Sequence, residues 1–324
     1  MAALAERATD MAEELPSWQP GARRDAILAF LQQVTDKNHP NYVDEAHRIA
    51  VFDHDGTLWV EKPTVTELVF IKDLFRFTPK PEADSQQNLG HRAGFCLARL
   101  WRKLRYGFAW LMQNVLRDSR WLLQEYLAGV STDEYQHWAG KWLASAKHPR
   151  FNRLYTELTY QPMLEVLQLF AQHQFKNYIV SGGSNYFVRA VCQPCYQITP
   201  PYAIGSQLRT KVRERHGQLQ VELQPIPWFF DNHNGKVLAI ENRIDLRPIA
   251  AFGNTSGDVA MLRWTAQQPV HLCMLVHHTD AAREYCYSPG QPTLDAANQY
   301  GWQVIDMKQD WRVVFSFEQS TAAK

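Results

Sequence analysis

The stretch Val51-Phe52-Asp53-His54-Asp55-Gly56-Thr57-Leu58-Trp59 carries the densest chemistry in the chain. Two carboxylates stand two positions apart, so one can act as a nucleophile while the other serves as acid and base. Gly56 and Thr57 can turn the backbone over a small anion. The same residues also make an Asp-Gly turn, a common way to leave a strand. Three further polar clusters lie downstream. Ser181-Gly182-Gly183-Ser184-Asn185 offers a hydroxyl and backbone N–H groups able to wrap an oxyanion, or simply a tight turn. Asn254-Thr255-Ser256-Gly257-Asp258 and His277-His278-Thr279-Asp280 are the others, and Lys236 stands at a helix start before them.

Each cluster needs an element to hold it, and the chain supplies one. Arg48 to Asp53, Lys176 to Val180, Pro248 to Gly253 and Val270 to Val276 are short apolar runs that stop at the clusters, the pattern of buried strands. A last strand, Trp302 to Ile305, ends in Asp306. Helical spacing is expected over Pro20–Val34, Met163–His173, from about Tyr186, Val237–Asn242 and Val259–Gln267. Strands alternating with helices predict an α/β fold with a doubly wound parallel sheet. Such a sheet brings all four strand ends to one edge, where ligands bind. Ala203–Gln207, Val212–Glu214 and Leu219–Leu223 read as strand pieces of a β-hairpin insertion at about 200–228.

Between Trp59 and about Gln174 the pattern turns helical. Ser131-Thr132-Asp133-Glu134 has capping-box spacing. The expected organisation is a helical lead-in over 1–44 packed on the core, a core over 45–62 and 163–324, and a helical insertion over 63–162. Within that insertion, the run 91–125 interleaves Arg99, Arg102, Lys103, Arg105, Arg117 and Arg120 with Trp and Phe. It reads as a helix pair that buries its apolar side, with a membrane surface, nucleic acid or a protein partner as the competing uses.

The 324 residues carry 45% hydrophobic and 21% charged side chains and a formal charge of +1, so no global field points to a polyanionic partner. Five cysteines, an odd number in a long chain, read as reduced thiols in a cytoplasmic protein. Cys192-x-x-Cys195 reads as packing. No apolar run reaches the ~20 residues of a membrane span. Met1 to Pro16 lacks the apolar centre of a signal peptide.

The order of these clusters resembles the four signature motifs of the haloacid dehalogenase (HAD) superfamily. Its phosphatases have Asp-x-Asp-Gly-Thr, matched by Asp53 to Thr57; a serine ending a strand, matched by Ser181; a lysine, matched by Lys236; and Gly-Asp-x-x-x-Asp, matched by Gly253 to Asp258 with Asn254 in place of the first Asp. The Ser-Gly-Gly of motif two, followed by Tyr186-Phe187, is similar to the phosphoserine-phosphatase branch. The chain also resembles a group of bacterial HAD hydrolases sharing Asp-Gly-Thr-Leu-Trp, Val-Ser-Gly-Gly, Gly-Asn-x-x-Gly-Asp, Val-His-His-Thr-Asp and a late Asp-Met-Lys. Many of that group carry a secretion signal. The resemblance covers the chain from about residue 45, and the insertion falls where this superfamily puts its type-one cap.

The resemblance implies a magnesium-dependent phosphatase acting on a small phosphomonoester. Asp53 attacks phosphorus to form an aspartyl phosphate, and Asp55 protonates the leaving oxygen and then activates water. Ser181, the N–H of Gly182, Lys236 and Thr57 bind the phosphoryl oxygens. Mg2+ is held by the Asp53 carboxylate and the Asp55 backbone carbonyl, with Asn254 or Asp258 completing the protein ligands. Asp55 favours a phosphatase over a dehalogenase, since only the former needs a leaving-group acid. Glu61 lies one position off the place of a substrate-recognising glutamate in related phosphatases. His277 and His278 stand at the expected site edge, as substrate contacts or as structural residues. A phosphotransferase, and a catalytically quiet binding protein of the same fold, are the rival readings. Neither nucleic acid nor a transmembrane segment is expected.

Overall fold

The computed structural model describes residues 14–77 and 127–318. The expectations placed on the basic run 91–125 and on the first 13 residues lie outside the described residues, as does one of the five cysteines.

Seven strands form one sheet in the order β4-β3-β2-β1-β5-β6-β7. They are β1 (Ile49–Phe52), β2 (Lys176–Ser184), β3 (Ala203–Arg215), β4 (Gln218–Phe229), β5 (Ala250–Gly253), β6 (Leu272–His277) and β7 (Gln303–Asp306). β1 pairs in parallel with both β2 and β5; β2–β3, β5–β6 and β6–β7 are parallel too. The chain builds outward from β1 on one side, then returns to β5 and builds outward on the other. The order therefore reverses between β1 and β5, which is where an open α/β sheet binds ligands.

Helices connect these strands: α1 (Ala22–Thr35), α2 (Thr66–Phe77), α3 (Thr132–Leu143), α4 (Gln161–Gln172), α5 (Asn185–Tyr196), α6 (Asn234–Ile244), α7 (Val259–Thr265), α8 (Gln291–Gln299) and α9 (Met307–Asp310). The result is the α/β core that the alternation predicts. The central strands β1 and β5 are buried at every position because both of their faces are covered. Ile49, Val51, Val180, Ala251, Cys273 and Leu275 share one buried cluster with Ile240, Met261 and Leu262. Phe52 points the other way, stacked on Phe252 at 4.6 Å and edge-on to Phe170. Full burial of an aromatic side chain of this size is worth about 1.5–3 kcal/mol, so these rings help hold β1 and β5 together.

Two local signals in the sequence have structural counterparts. At the start of α3, Glu134 N donates to Ser131 Oγ at 3.1 Å and Ser131 N to Glu134 Oε2 at 2.8 Å, the two bonds of a capping box. At the hairpin tip, His216 and Gly217 both have positive φ (50° and 75°), the geometry that suits a two-residue hairpin loop. The hairpin is longer and more continuous than its apolar alternation suggests. Lys211, Arg213 and Arg215 alternate along β3 and all face the buried carboxylate of Glu222 on β4. Charge pairing holds this stretch together, so hydrophobic pattern underreports it. α8 and α9, short and polar, have no strong sequence signature either.

By its contacts the chain divides into two compact units. One comprises Met1–Phe70, Gln136–Gln207 and Phe229–Lys324; the other comprises Ile71–Tyr135 and Leu208–Trp228. The second unit overlaps the expected cap over 71–135, and 136–162 lies with the first. Among the described residues no helix is long and apolar enough to cross a membrane.

Candidate active site

β1 delivers Asp53 at its end, and Asp53 N donates to Phe252 O of β5 at 2.9 Å, so the strand's ladder fixes the residue. The turn that follows closes tightly. Thr57 N and Leu58 N both donate to His54 O, and Gly56 N donates to Trp59 O at 2.8 Å. Gly56 has φ +79°, and a Cβ there would lie 1.9 Å from Asn254 Nδ2 and 2.9 Å from Glu61 Cδ. Only glycine serves at this position, because backbone sign and crowding both exclude a side chain.

Lys236, near the start of α6, is fully buried and reaches three acceptors. Its ammonium pairs with Asp53 Oδ1, with Asp258 Oδ1 at 2.7 Å and with Val180 O at 2.7 Å. All three ammonium hydrogens are thereby used. Asp258 Oδ2 accepts from Asn254 N at 2.9 Å and Thr255 N at 3.0 Å. Both Asp258 oxygens are thus engaged in holding Lys236 and the loop after β5. Asn254 offers a different set: Nδ2 donates to Glu61 Oε1 at 3.3 Å, while Oδ1 lies 3.5 Å from Thr57 Oγ1. Thr57 Oγ1 is also 3.4 Å from Asp53 Oδ2. One carboxylate oxygen and one amide oxygen therefore converge on the same small region.

The last residues of β2, Ser181 to Ser184, pair with β3 through a shift of register and carry the serine cluster. Ser181 is fully buried and its Oγ accepts from Gly183 N at 3.0 Å, while Gly182 O accepts from Ser206 Oγ at 2.9 Å. Ser184 caps α5, accepting from Phe187 N at 3.2 Å. Glu67, in the first turn of α2, accepts from Ser184 N at 2.7 Å and from Ser184 Oγ. No sequence signal marks Glu67, which lies 117 positions before its partner.

Burial sets the electrostatics. Desolvation raises Asp53, with Asp258 adding to it and Lys236 opposing. Asp55 is held well above the usual carboxylate range by desolvation and by Asp53, with Glu61 and Glu67 adding and a hydrogen bond from Trp59 opposing. Burial alone would lower Lys236, but Asp258, Asp53 and Asp231 together keep it above its ordinary value. His54 is pushed down to about 3 by burial and by Lys236, so the ring between the two aspartates is neutral. Asp231, wholly buried just before α6, is pushed up to about 7 by desolvation.

The histidine pair separates. His277 ends β6 in register with Asp306 and is partly exposed. His278 turns inward, and its Nε2 donates to Gly56 O at 2.8 Å while Nδ1 lies 3.1 Å from Glu284 Oε2. Its ring stacks on Tyr287 at 4.1 Å. His278 therefore braces the turn that carries Asp53 and Asp55. The loop that carries it is itself tied down. Arg150 donates to the carbonyls of Ala281, Ala282 and Glu284, and Arg283 to those of Met307, Trp311 and Arg312. Glu61 is buried on the Asn254 amide, with Lys62 Nζ 3.7 Å away.

A parallel sheet whose switch point carries a paired-aspartate turn, a serine cluster and a lysine shared between carboxylates defines a hydrolase class. The family model for haloacid dehalogenase-like hydrolases matches residues 50–263, and the chain belongs to that family. No curated protein matches the sequence closely enough to count as a relative. Among solved structures, a conserved protein of unknown function from Anaerococcus prevotii is 16% identical with a TM-score of 0.55, covering 88% of this chain and 91% of its own. A protein of unknown function from Bordetella pertussis is 15% identical with a TM-score of 0.47, covering 81% and 99%. A phosphoserine phosphatase captured as an analogue of its phospho-aspartyl intermediate is 14% identical with a TM-score of 0.37, covering 86% and 99%. The first of these likenesses concerns the fold.

The family implies magnesium. Among the described residues no three His, Cys, Asp or Glu side chains are arranged as a metal-ion site. The donors present nonetheless suit a hard cation, which takes oxygen ligands and keeps several waters. Asp53 Oδ2 and Asn254 Oδ1 lie 3.4 and 3.5 Å from the same Thr57 hydroxyl, so a carboxylate and an amide oxygen stand close enough together to serve as oxygen donors.

Proposed function

We propose that the protein hydrolyses a small phosphomonoester through a phosphorylated Asp53. The observation that carries the reading is the Lys236 ammonium shared between Asp53 and Asp258 beneath the serine cluster. An Asp53 oxygen bonds to phosphorus as the bond to the leaving oxygen breaks, and the protonated Asp55 supplies that oxygen with a hydrogen. Water then attacks the acyl phosphate, gives its proton to Asp55, and frees phosphate and the Asp53 carboxylate. One pair of carboxylates thus serves both halves. The raised Asp55 suits an acid that must hold its proton near neutrality. Ser181 Oγ, Gly182 N and Thr57 hold the phosphoryl oxygens, and Lys236 joins them by turning one ammonium hydrogen from Asp53 Oδ1 to the phosphoryl group; positioning and charge do most of the work.

Magnesium, when bound by Asp53, the Asp55 main-chain carbonyl and the Asn254 amide oxygen, neutralises phosphoryl charge. Asp258 is proposed to orient Lys236 rather than bind the cation, since its oxygens are already occupied. His278 and Glu61 are proposed to shape the turn, leaving His277 as the histidine open to substrate. The helical insertion over 63–162 is proposed as the source of selectivity, and the free Cys192, Cys195, Cys273 and Cys286 favour a cytoplasmic setting.

Turnover of 4-nitrophenyl phosphate with magnesium tests the reading. Activity abolished in Asp53→Asn and reduced in Asp55→Asn is expected. A purified wild type that binds phosphate esters but never releases phosphate would make it a binding protein instead, and phosphate passed to an added alcohol without release would make it a transferase.

A further inference from the structure

Trp59 closes the aspartate turn, and its indole is fully buried. Nε1–H donates to Asp55 Oδ1 at 2.9 Å. Its main chain is held by the Trp59 carbonyl, which accepts from Gly56 N at 2.8 Å, and its ring by stacking on His54 at 4.4 Å and by Phe187 at 6.2 Å. His54 is itself anchored, with Nε2 3.0 Å from Tyr196 Oη. The indole is therefore an immobile donor rather than a side chain that happens to lie near.

An indole N–H can donate and cannot accept. Asp55 Oδ1 is then an acceptor whether the carboxyl group is neutral or ionised; the carbonyl oxygen is the better acceptor of a neutral carboxyl group, so the indole favours the proton on Oδ2. Oδ2 faces the serine cluster, 3.9 Å from where a Cβ on Gly183 would stand. The nearest His54 nitrogen, Nδ1, is 3.9 Å from Oδ2, too far for a hydrogen bond. The oxygen aimed at the serine cluster is the one favoured to carry the hydrogen.

We propose that Trp59 is a positioning residue for the acid–base step, its N–H fixing Oδ2 as the Asp55 oxygen that protonates the leaving group. This rests on Asp55 as the acid. Without the indole donor the proton partitions between both oxygens and the carboxyl group is free to rotate, so acid catalysis is degraded but not abolished.

The test compares kcat/KM for an alkyl phosphate, glycerol 3-phosphate, with that for 2,4-dinitrophenyl phosphate, whose leaving group departs without a proton. kcat/KM reports the chain of steps through release of the leaving group, so slow hydrolysis of the intermediate does not enter it. General acid catalysis contributes ~10²–10⁴-fold. Asp55→Asn should lose about that much on the alkyl ester and at least about tenfold less on the dinitrophenyl ester. Trp59→Phe, which keeps an aromatic ring, should show the same pattern with a loss of about 10–100-fold on the alkyl ester. Replacing Trp59 by 3-benzothienylalanine, which keeps the bicyclic shape without the N–H, should repeat the Phe result. If Asp55→Asn shows the pattern while the Trp59 variants lose both activities equally, or lose neither, the proposal is overturned. If Asp55→Asn shows no dependence on leaving group, Asp55 is not the acid and the underlying reading fails first.

Discussion

Replacing Lys236 with methionine should unfold a substantial part of the protein's margin of stability, and by an amount that depends on pH. The substitution keeps an unbranched apolar stem and deletes the ammonium. Left behind are Asp53, Asp258 and Asp231, all buried, and the Val180 carbonyl. At an effective dielectric of about 20, the Asp258 contact at 2.7 Å is worth on the order of 6 kcal/mol before desolvation is counted. Removing one partner of a buried pair costs about 3–5 kcal/mol net, out of a total of roughly 5–15 kcal/mol for a typical domain. The sign of the pH effect follows from Asp53. Burial already raises its carboxyl group from 3.8, and the opposing ammonium is gone. A carboxyl raised in the folded state contributes stability that is present below its unfolded value and lost as pH rises through the folded one. The deficit should thus be larger at pH 8 than at pH 5. Urea denaturation in EDTA at both values reads it directly. Adding Asp258→Asn to the lysine variant should recover part of the loss, as expected for residues in one network. A deficit under about 1 kcal/mol, or one equal at the two pH values, would refute the assignment of Lys236 as the counter-charge of this cluster.

Three further outcomes are expected. Asn254→Asp adds a carboxylate beside Asp53 and facing Glu61 Oε1, so it should destabilise the metal-free protein while tightening magnesium about 10–100-fold, or ~1.4–2.8 kcal/mol; an unchanged magnesium-induced rise in melting temperature would remove Asn254 from the ligand set. Gly56→Ala should cost at least ~1–2 kcal/mol from the left-handed backbone alone, and should depress activity further because its Cβ displaces the Asn254 amide; near-wild-type melting and turnover would contradict the crowding described here. Asp231, raised to about 7 from 3.8, stabilises the fold below pH 4 and loses that contribution as pH passes 7. Asp231→Asn should therefore gain on the wild type between pH 4 and pH 8 by about 1–4 kcal/mol, read as a shift in urea midpoint, and parallel pH profiles would count against a buried, protonated Asp231.

How far the sequence speaks depends on whether a property is local. Asp53, Asn254 and His277 each end an apolar run and stand at strand ends, so their place can be read from composition; Ser181 ends an apolar run too, but β2 continues past it through a shift of register to Ser184, which composition does not show. Which ring of His277-His278 turns inward depends on the strand's pleat and on Glu284, neither of which the dipeptide shows. Asn254 and Asp258 look interchangeable as oxygen donors. Only the folded loop shows that Asp258 spends both oxygens on Lys236 and main-chain amides. Glu67 is invisible because an acidic residue in a first helical turn is commonplace, and its use as a clasp on Ser184 is a tertiary fact. The hairpin's length escaped hydrophobic alternation because β3 and β4 are joined through charges.

The brace from His278 to Gly56 spans 222 positions of sequence. Synthesis proceeds from the N-terminus, and early segments can fold before later ones emerge. The paired aspartates leave the ribosome long before the histidine that steadies them, and later still come Met307, Trp311 and Arg312, whose carbonyls anchor Arg283. A nascent chain therefore carries both carboxylates without the brace on their turn until β6 and the loop after it are made, and that loop gains its own anchors only once the segment after β7 has followed.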